Sequence, residues 1–196
     1  MKGIAILLLA AGASSRMRGA DKLLQEIDGV ALLRRQALVA LSSGCAVWVC
    51  LSQGRPARLA ALEGLDLTVV EVADAGDGMA ASIRTGVAAL PPLTRAVVVL
   101  PADMPEITAQ DLAVVIAGFD GQALVQGCSE NGDPGHPVLF PARVFPELLA
   151  LEGDQGARSV LRAHGVIRVA LPEAHALTDL DTPEDWAAWR AAQLAR

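Results

Sequence analysis

A chain of 196 residues, 53% of them hydrophobic, is long enough for one domain with a substantial buried core. Its net charge of −6 leaves no general basic surface for a nucleic-acid backbone, and its aromatic content of 3% disfavours base-stacking platforms. No apolar run approaches the roughly 20 residues that a membrane span needs, so we expect a soluble, cytoplasmic, single-domain protein over residues 1–196, without nucleic-acid or membrane partners.

Short apolar runs alternate with longer amphipathic segments, which is typical of β-α units around a mainly parallel sheet. Two of these runs, Ile4–Leu9 and Ala96–Leu100, are continuously apolar, which predicts strands covered on both faces. We therefore expect an α/β fold, a three-layer α/β/α sandwich with a Rossmann-like, mainly parallel sheet. The predicted strands are Ile4–Leu9, Ala46–Leu51, Leu67–Glu71, Ala96–Leu100, Ala123–Gln126, Ile167–Ala170 and a shorter candidate, Val138–Phe140. The predicted helices are Ala31–Leu41, Arg55–Leu62, Met79–Leu90, Ala109–Ala117, Val144–Leu151, Ala157–Ala163 and Pro183–Leu194.

The first predicted strand ends in small residues, Ala10 to Ala13, and Arg16 and Lys22 follow them. Small side chains let phosphate oxygens approach backbone N–H groups closely. Arg16 adds a planar guanidinium, and Lys22 adds a compact charge that can follow negative charge as it grows during a reaction. The stretch indicates polyphosphate binding, with a loop carrying two solvated cations as the structural alternative. It matches neither G-x-G-x-x-G nor the Walker pattern, which disfavours a dinucleotide-dependent oxidoreductase.

A single carboxylate, Asp103, follows the run Ala96–Leu100 and lies between two prolines. Mg²⁺ takes one or two carboxylates together with phosphate oxygens and water, so Asp103 is the leading candidate for a metal ligand. The alternative is a turn residue before the helix that Thr108 caps. Ligands of open α/β sheets lie beyond the carboxyl ends of the strands, so we expect Asp103 and the first loop to face one crevice.

Two predicted helix starts carry further candidates. Gly78, Met79 and Ser82 open a helix whose first amides can face a base or ribose, with an ordinary helix start as the alternative. The Asp-Thr-Pro-Glu-Asp stretch after Leu180 is a capped helix start. This capping explains its last four residues but leaves Asp179 and Asp181 without a structural role.

The first loop resembles the signature L-A-A-G-x-S-x-R-M-x-x-x-x-K of the MobA-like nucleotidyltransferases, and most closely that of their molybdenum cofactor cytidylyltransferase branch. Many relatives have Gly directly after Arg-Met, where this chain has Arg18. If that position needs a positive φ, Arg18 is strained. The matching residues are Leu9, Ala10, Ala11, Gly12, Ser14, Arg16, Met17 and Lys22.

The resemblance implies a fold of the nucleotide-diphospho-sugar transferase type and Mg²⁺-dependent transfer of CMP from CTP to the phosphate of molybdopterin or the molybdenum cofactor, with release of pyrophosphate. It implies catalytic roles for Lys22, Arg16 and Asp103, and metal binding by Asp103 and Asp181. It also implies nucleotide binding by Leu9, Ala10, Ala11, Gly12, Ser14, Arg16, Lys22, Gly78, Met79 and Ser82.

The stretches Gly135-His136-Pro137-Val138 and Asp154-Gln155-Gly156-Ala157-Arg158 match elements on the acceptor side of the same family. His136 and Arg158 are therefore the candidate acceptor-binding residues. A hydrogen-bonded surface histidine is the alternative for His136. Arg158 lies at a predicted helix start, where a cation opposes the helix dipole, so it is a candidate partner for an anion.

Three questions stay open at this stage. CTP is favoured over GTP by Ala10-Ala11, where guanylyl-transferring relatives tend to carry glycine. The acceptor could be another small phosphorylated molecule. The chain could also be a non-catalytic nucleotide-binding accessory protein that delivers cofactor, and a molybdoenzyme apoprotein or its chaperone is a further candidate partner.

Overall fold

A seven-stranded mixed sheet forms the centre of the computed structural model, which describes residues 3–153 and 156–195. Its strands are β1 (Ile4–Leu9), β4 (Ala46–Ser52), β5 (Thr68–Val72), β6 (Ala96–Pro101), β7 (Leu124–Cys128), β8 (Pro134–Pro141) and β9 (Val166–Ala170). The strand order is β5-β4-β1-β6-β8-β7-β9. Strand β8 runs antiparallel to β6 and β7, and the other neighbouring pairs are parallel.

Helices cover both faces of the sheet, which confirms the three-layer α/β/α prediction. Along β1, Ile6 and Leu8 join one apolar core, and Ala5 and Leu7 join the core on the opposite face. Every residue of β6 is buried. The helices are α1 (Leu32–Ser42), α2 (Pro56–Ala61), α3 (Met79–Ala88), α4 (Ala109–Ala117), α5 (Phe145–Leu149), α6 (Arg158–Ala163) and α7 (Pro183–Leu194).

Helix α7 begins with the capping that its sequence predicts. The Thr182 hydroxyl accepts the Asp185 N–H at 3.1 Å, and the Asp185 carboxylate accepts the Thr182 N–H at 2.8 Å. Thr108 and Asp111 cap α4 in the same way. These reciprocal bonds satisfy amides that a helix start would otherwise leave unpaired, so each start is fixed in place.

The predicted strands differ from the strands of the structure in two places. The short candidate Val138–Phe140 is the middle of the eight-residue β8. A small antiparallel hairpin, β2 (Glu26–Ile27) and β3 (Val30–Ala31), was not predicted. Its turn residues Asp28 and Gly29 have φ of 53° and 75°, and an Asp-Gly pair is a common hairpin signal that could have revealed it.

The cysteines belong to the buried core of the protein. Cys45, Cys50 and Cys128 are buried free thiols. Burial raises the pKa of the Cys50 thiol to about 12, so this thiol stays protonated at neutral pH. Within residues 3–153 and 156–195, the helices are all too short or too polar to cross a membrane.

Candidate active site

The site begins where neighbouring strands β1 and β6 end. These strands are parallel, and Leu9 pairs with Pro101 in the last register position. The loop after β1 and the residues after β6 therefore emerge at the same edge of the sheet. The backbone N–H of Ala102 also donates to the Leu9 carbonyl at 3.0 Å, which ties the two exits together.

The loop after β1 turns sharply at two residues that are not glycine. Ser14 has φ 56° and Arg18 has φ 53°, and Gly19 follows with φ 95°. The left-handed backbone expected to strain Arg18 is therefore present. The Arg18 guanidinium lies 2.6 Å from Glu184 at the start of α7, in an exposed ion pair.

Lys22 connects the loop to the acidic residues of the site. Its ammonium donates to Asp103 and, at 2.6 Å, to Asp181, and its side chain is 12% exposed. Burial alone would lower the pKa of Lys22, but the charges and hydrogen bonds of the two carboxylates outweigh it and raise that pKa. Lys22 is therefore charged at neutral pH. The Arg16 guanidinium lies 2.8 Å from the other oxygen of Asp181.

The acidic side of the site has more negative charge than Lys22 neutralises. Burial, followed by the charges of Asp103 and Asp181, raises the pKa of Asp179. The Oδ1 atom of Asp103 is buried and has no hydrogen-bond partner among the described residues. A buried carboxylate oxygen without a donor is a suitable ligand for a divalent cation.

These donors suit Mg²⁺ better than a metal held by protein alone. Residues 3–153 and 156–195 contain no group of three or more His, Cys, Asp or Glu side chains arranged to hold a metal ion. Mg²⁺ needs only one or two carboxylates when phosphate oxygens and water complete its shell. Asp103 and Asp181 supply such a pair, and the residues present fit the ion.

One cavity of about 720 Å³ collects most of the predicted site residues. Asp179, which had no predicted role, also lines it. Ser14 is predicted to bind nucleotide, but its hydroxyl is bonded to Asp21 and Arg58, and Ser14 is not among the residues that line this cavity. The predicted residues that line it are Leu9, Ala10, Ala11, Gly12, Arg16, Lys22, Gly78, Met79, Ser82, Asp103 and Asp181.

Helix α3 points its first turn into this cavity. Gly78 precedes the helix with φ 83° and ψ −165°, a conformation that favours glycine. Met79 is 40% exposed, whereas Ser82 is buried one turn further on. Gly78, Met79 and Ser82 thus line the same cavity as the loop after β1.

A second cavity of about 270 Å³ adjoins the first and shares Met79 with it. His136, Arg158 and Gln126 line it. Burial lowers the pKa of His136, although the charge of Asp103 opposes this. Within the described part of the chain the Nδ1 atom of His136 lacks a hydrogen-bond partner. His136 is therefore a neutral, shielded ring at the cavity wall. Asp154 and Gln155, in the motif that precedes Arg158, lie outside the described residues.

Arg58 on α2 also belongs to the site, although the sequence analysis did not single it out. Its side chain is fully buried and donates to the Ala10 carbonyl at 2.6 Å and to the Ser14 hydroxyl at 3.0 Å. It also forms a two-pronged ion pair with Asp21, at 2.7 and 2.9 Å. A lone Arg in a short helix carries no local signal of these contacts.

Comparison with known proteins supports a common origin with nucleotide-handling enzymes. The family model described as "MobA-like NTP transferase domain" matches residues 6–169. A probable molybdenum cofactor guanylyltransferase from Natronomonas pharaonis is 31% identical over 91% of this chain and 93% of its own length. The purine catabolism protein PucB of Bacillus subtilis is 30% identical, over 58% of this chain and 56% of PucB.

Solved structures agree with this result. The structure of a homologue of Mycobacterium tuberculosis Rv0371c, from Mycobacterium sp. strain JC1, has a TM-score of 0.86 and 29% identity, over 98% of this chain and 97% of that one. Rv0371c itself has been solved in complex with manganese, and it is 26% identical with a TM-score of 0.81, over 95% of this chain and 97% of that one. The architecture also matches that of known nucleotide-diphospho-sugar transferase structures.

Proposed function

We propose, because the chain belongs to the MobA-like NTP transferase family, that this nucleotidyltransferase moves CMP from CTP to the terminal phosphate of molybdopterin or the molybdenum cofactor and releases pyrophosphate. One observation carries the proposal. Lys22 and Asp103, 81 residues apart in sequence, lie in direct contact in a cavity whose other wall is a loop of small residues. A cation, a carboxylate and free amides in one cavity are the groups that phosphoryl chemistry uses.

The reaction needs positioning and charge neutralisation rather than a covalent intermediate. An oxygen of the acceptor phosphate attacks the α-phosphorus, and the bond from that phosphorus to the bridging oxygen breaks. Pyrophosphate leaves with the bonding electron pair. The attacking phosphate is already ionised at neutral pH, so no general base is required.

The residues of the loop divide this work. The amides after Ala11, where Gly12 and Ala13 are exposed, hold phosphate oxygens of CTP. Lys22 stabilises the charge on the α-phosphoryl group, and Arg16, whose side chain is 67% exposed, reaches the departing pyrophosphate. To do so, Lys22 gives up one of its two carboxylate partners when nucleotide binds.

Asp103 and Asp181 would hold Mg²⁺, which would neutralise phosphate oxygens of the nucleotide. The Oδ1 atom of Asp103, which has no partner in the described part of the chain, supports this assignment. Asp103→Ala should abolish pyrophosphate release while the protein stays folded, because Asp103 contributes a charge to the cavity rather than apolar packing. Asp66→Ala, at an exposed position, is the matched control and should turn over normally.

Three features support the choice of substrates. Ala10 and Ala11 begin the loop, where guanylyl-transferring relatives tend to carry glycine, and this favours CTP. Gly78, Met79 and Ser82 offer the wall beside the base. The second cavity, with His136 and Arg158, adjoins the first and is large enough for part of an acceptor. Arg158 supplies a positive charge for an anionic acceptor.

The deciding assay is pyrophosphate release with each of the four NTPs, with and without molybdopterin. We expect release with CTP and only when molybdopterin is present. Turnover with GTP instead would refute the choice of nucleotide, and turnover with another phosphorylated acceptor would refute the choice of acceptor. Tight NTP binding without any turnover would favour the accessory-protein alternative.

A further inference from the structure

We infer that Arg58 is a positioning residue that holds the loop after β1 in its phosphate-binding shape while touching no nucleotide itself. The inference rests on the proposed function, since it concerns the same site. It starts from the place of Arg58 in the fold. Arg58 belongs to α2, follows β4 in the chain, and is fully buried behind a loop whose Gly12, Ala13 and Arg16 line the cavity.

The guanidinium contacts the loop at its beginning, middle and end. It donates to the carbonyl of Ala10, directly after β1, and to the hydroxyl of Ser14, where the backbone turns left-handed. It pairs with both carboxylate oxygens of Asp21, directly before Lys22. A loop that reverses direction at Ser14 is thereby tied to one rigid planar group.

The bonds continue from Arg58 to Lys22. The Ser14 hydroxyl accepts the backbone N–H of Lys22 at 3.3 Å, and the Asp21 carboxylate accepts that of Leu23 at 3.0 Å. These bonds fix the main chain from which the Lys22 side chain reaches the cavity. Arg58 therefore acts on Lys22 through two intermediate side chains.

The charge of Arg58 is compensated inside the protein. Burial alone would raise the pKa of Asp21, but the hydrogen bonds and the charge of Arg58 outweigh it and lower that pKa. Asp21 is thus ionised and matches the buried guanidinium. Lysine cannot replace this arrangement, because an ammonium lacks the planar fork that reaches Ala10, Ser14 and Asp21 at once.

The conservative variant Arg58→Lys separates positioning from bulk stability, and Arg34→Lys is its matched control. Arg34 also donates to two backbone carbonyls, those of Ala61 and Glu63, but it does so at the far end of α2. We expect Arg58→Lys to raise the KM for CTP about tenfold or more, since one lost charge-assisted bond already corresponds to that factor. Arg34→Lys should lose stability with an unchanged KM.

A local measurement accompanies the kinetics. Hydrogen exchange of the amides from Gly12 to Ala20 should speed up in Arg58→Lys and stay unchanged in Arg34→Lys. This measurement needs no turnover, so it decides the role of Arg58 even if the wild-type protein transfers nothing to molybdopterin. Wild-type exchange in this loop together with a wild-type KM in Arg58→Lys would overturn the inference.

The double variant Arg58→Met with Asp21→Leu covers the case in which Arg58→Lys does not fold. Replacing both charges by apolar side chains removes the cost of an unpaired buried ion, so stability should return close to the wild-type value. The loop would still lack the guanidinium that anchors it. Its amides should therefore exchange faster than in the wild type, and the KM of the double variant for CTP should stay above the wild-type value. Recovery of a wild-type KM along with stability would show that Arg58 serves stability alone.

Discussion

Gly12→Ala tests the proposed phosphate site in the loop after β1 directly, because its effects on stability and on nucleotide binding should have opposite signs. A Cβ placed on Gly12 meets no atom within 4 Å, and the φ of Gly12 lies outside the left-handed region. Alanine therefore fits the folded loop and restricts the unfolded chain, which should stabilise the protein by about 0.4–1 kcal/mol. Gly165→Ala, at an equally open position before β9, is the matched control.

The same methyl group should weaken nucleotide binding. Gly12 lines the cavity, so the added Cβ stands where phosphate oxygens have to approach the backbone amides. Loss of one charge-assisted hydrogen bond, about 1.5–3 kcal/mol, corresponds to a rise in the KM for CTP of roughly 10–150-fold. Gly165→Ala should leave the KM unchanged.

Two measurements are sufficient, namely urea unfolding of the three proteins and the KM for CTP from pyrophosphate release. Calorimetric titration with CTP gives the dissociation constant independently of turnover. A Gly12→Ala protein that binds CTP as tightly as wild type would refute the idea that phosphates lie against this part of the loop. A Gly12→Ala protein that is strongly destabilised would refute the account of the loop backbone.

The charges of the site and the backbone of Arg18 give three more predictions. Lys22→Met should tighten Mn²⁺ binding to the nucleotide-free protein about tenfold or more, because the ammonium no longer competes for Asp103; an EPR titration that shows unchanged affinity would contradict this. Asp179→Asn should stabilise the protein at pH 7, because the raised pKa of Asp179 means that its ionised form destabilises the folded state. Solvent screens the charge of this exposed side chain, so the gain should be less than about 1 kcal/mol. This gain should fade as the pH falls to 3.8, where the wild-type carboxyl also becomes neutral, and a gain that persists at lower pH would need another cause. Arg18→Gly should be more stable to urea than Arg18→Ala by about 1 kcal/mol, because both variants lose the Glu184 ion pair but only glycine relieves the left-handed backbone; the reverse order would argue against that conformation.

The sequence is most informative where a local pattern carries the structure. Continuous apolar runs predict β1 and β6, and the placement of Asp103 directly after one of them is enough to expect it in the crevice beside the first loop. The capped start of α7 is equally local, since Thr182 and Asp185 are three residues apart. The strain at Arg18 is local too, because it follows from the resemblance of the first loop to a motif with glycine at this position.

The sequence is least informative where a contact joins distant segments. Arg58 is separated by 37 residues from Asp21 and by 48 from Ala10, and its place behind the loop depends on β4 pairing with β1. The role of Ser14 follows from the same packing: its hydroxyl binds Arg58 and the Lys22 amide. This motif thus combines residues that line the cavity with residues that hold the loop, and the packing of the folded chain distinguishes the two groups. Variants of Ser14 should for this reason resemble Arg58→Lys, with faster loop exchange, more than they resemble Gly12→Ala.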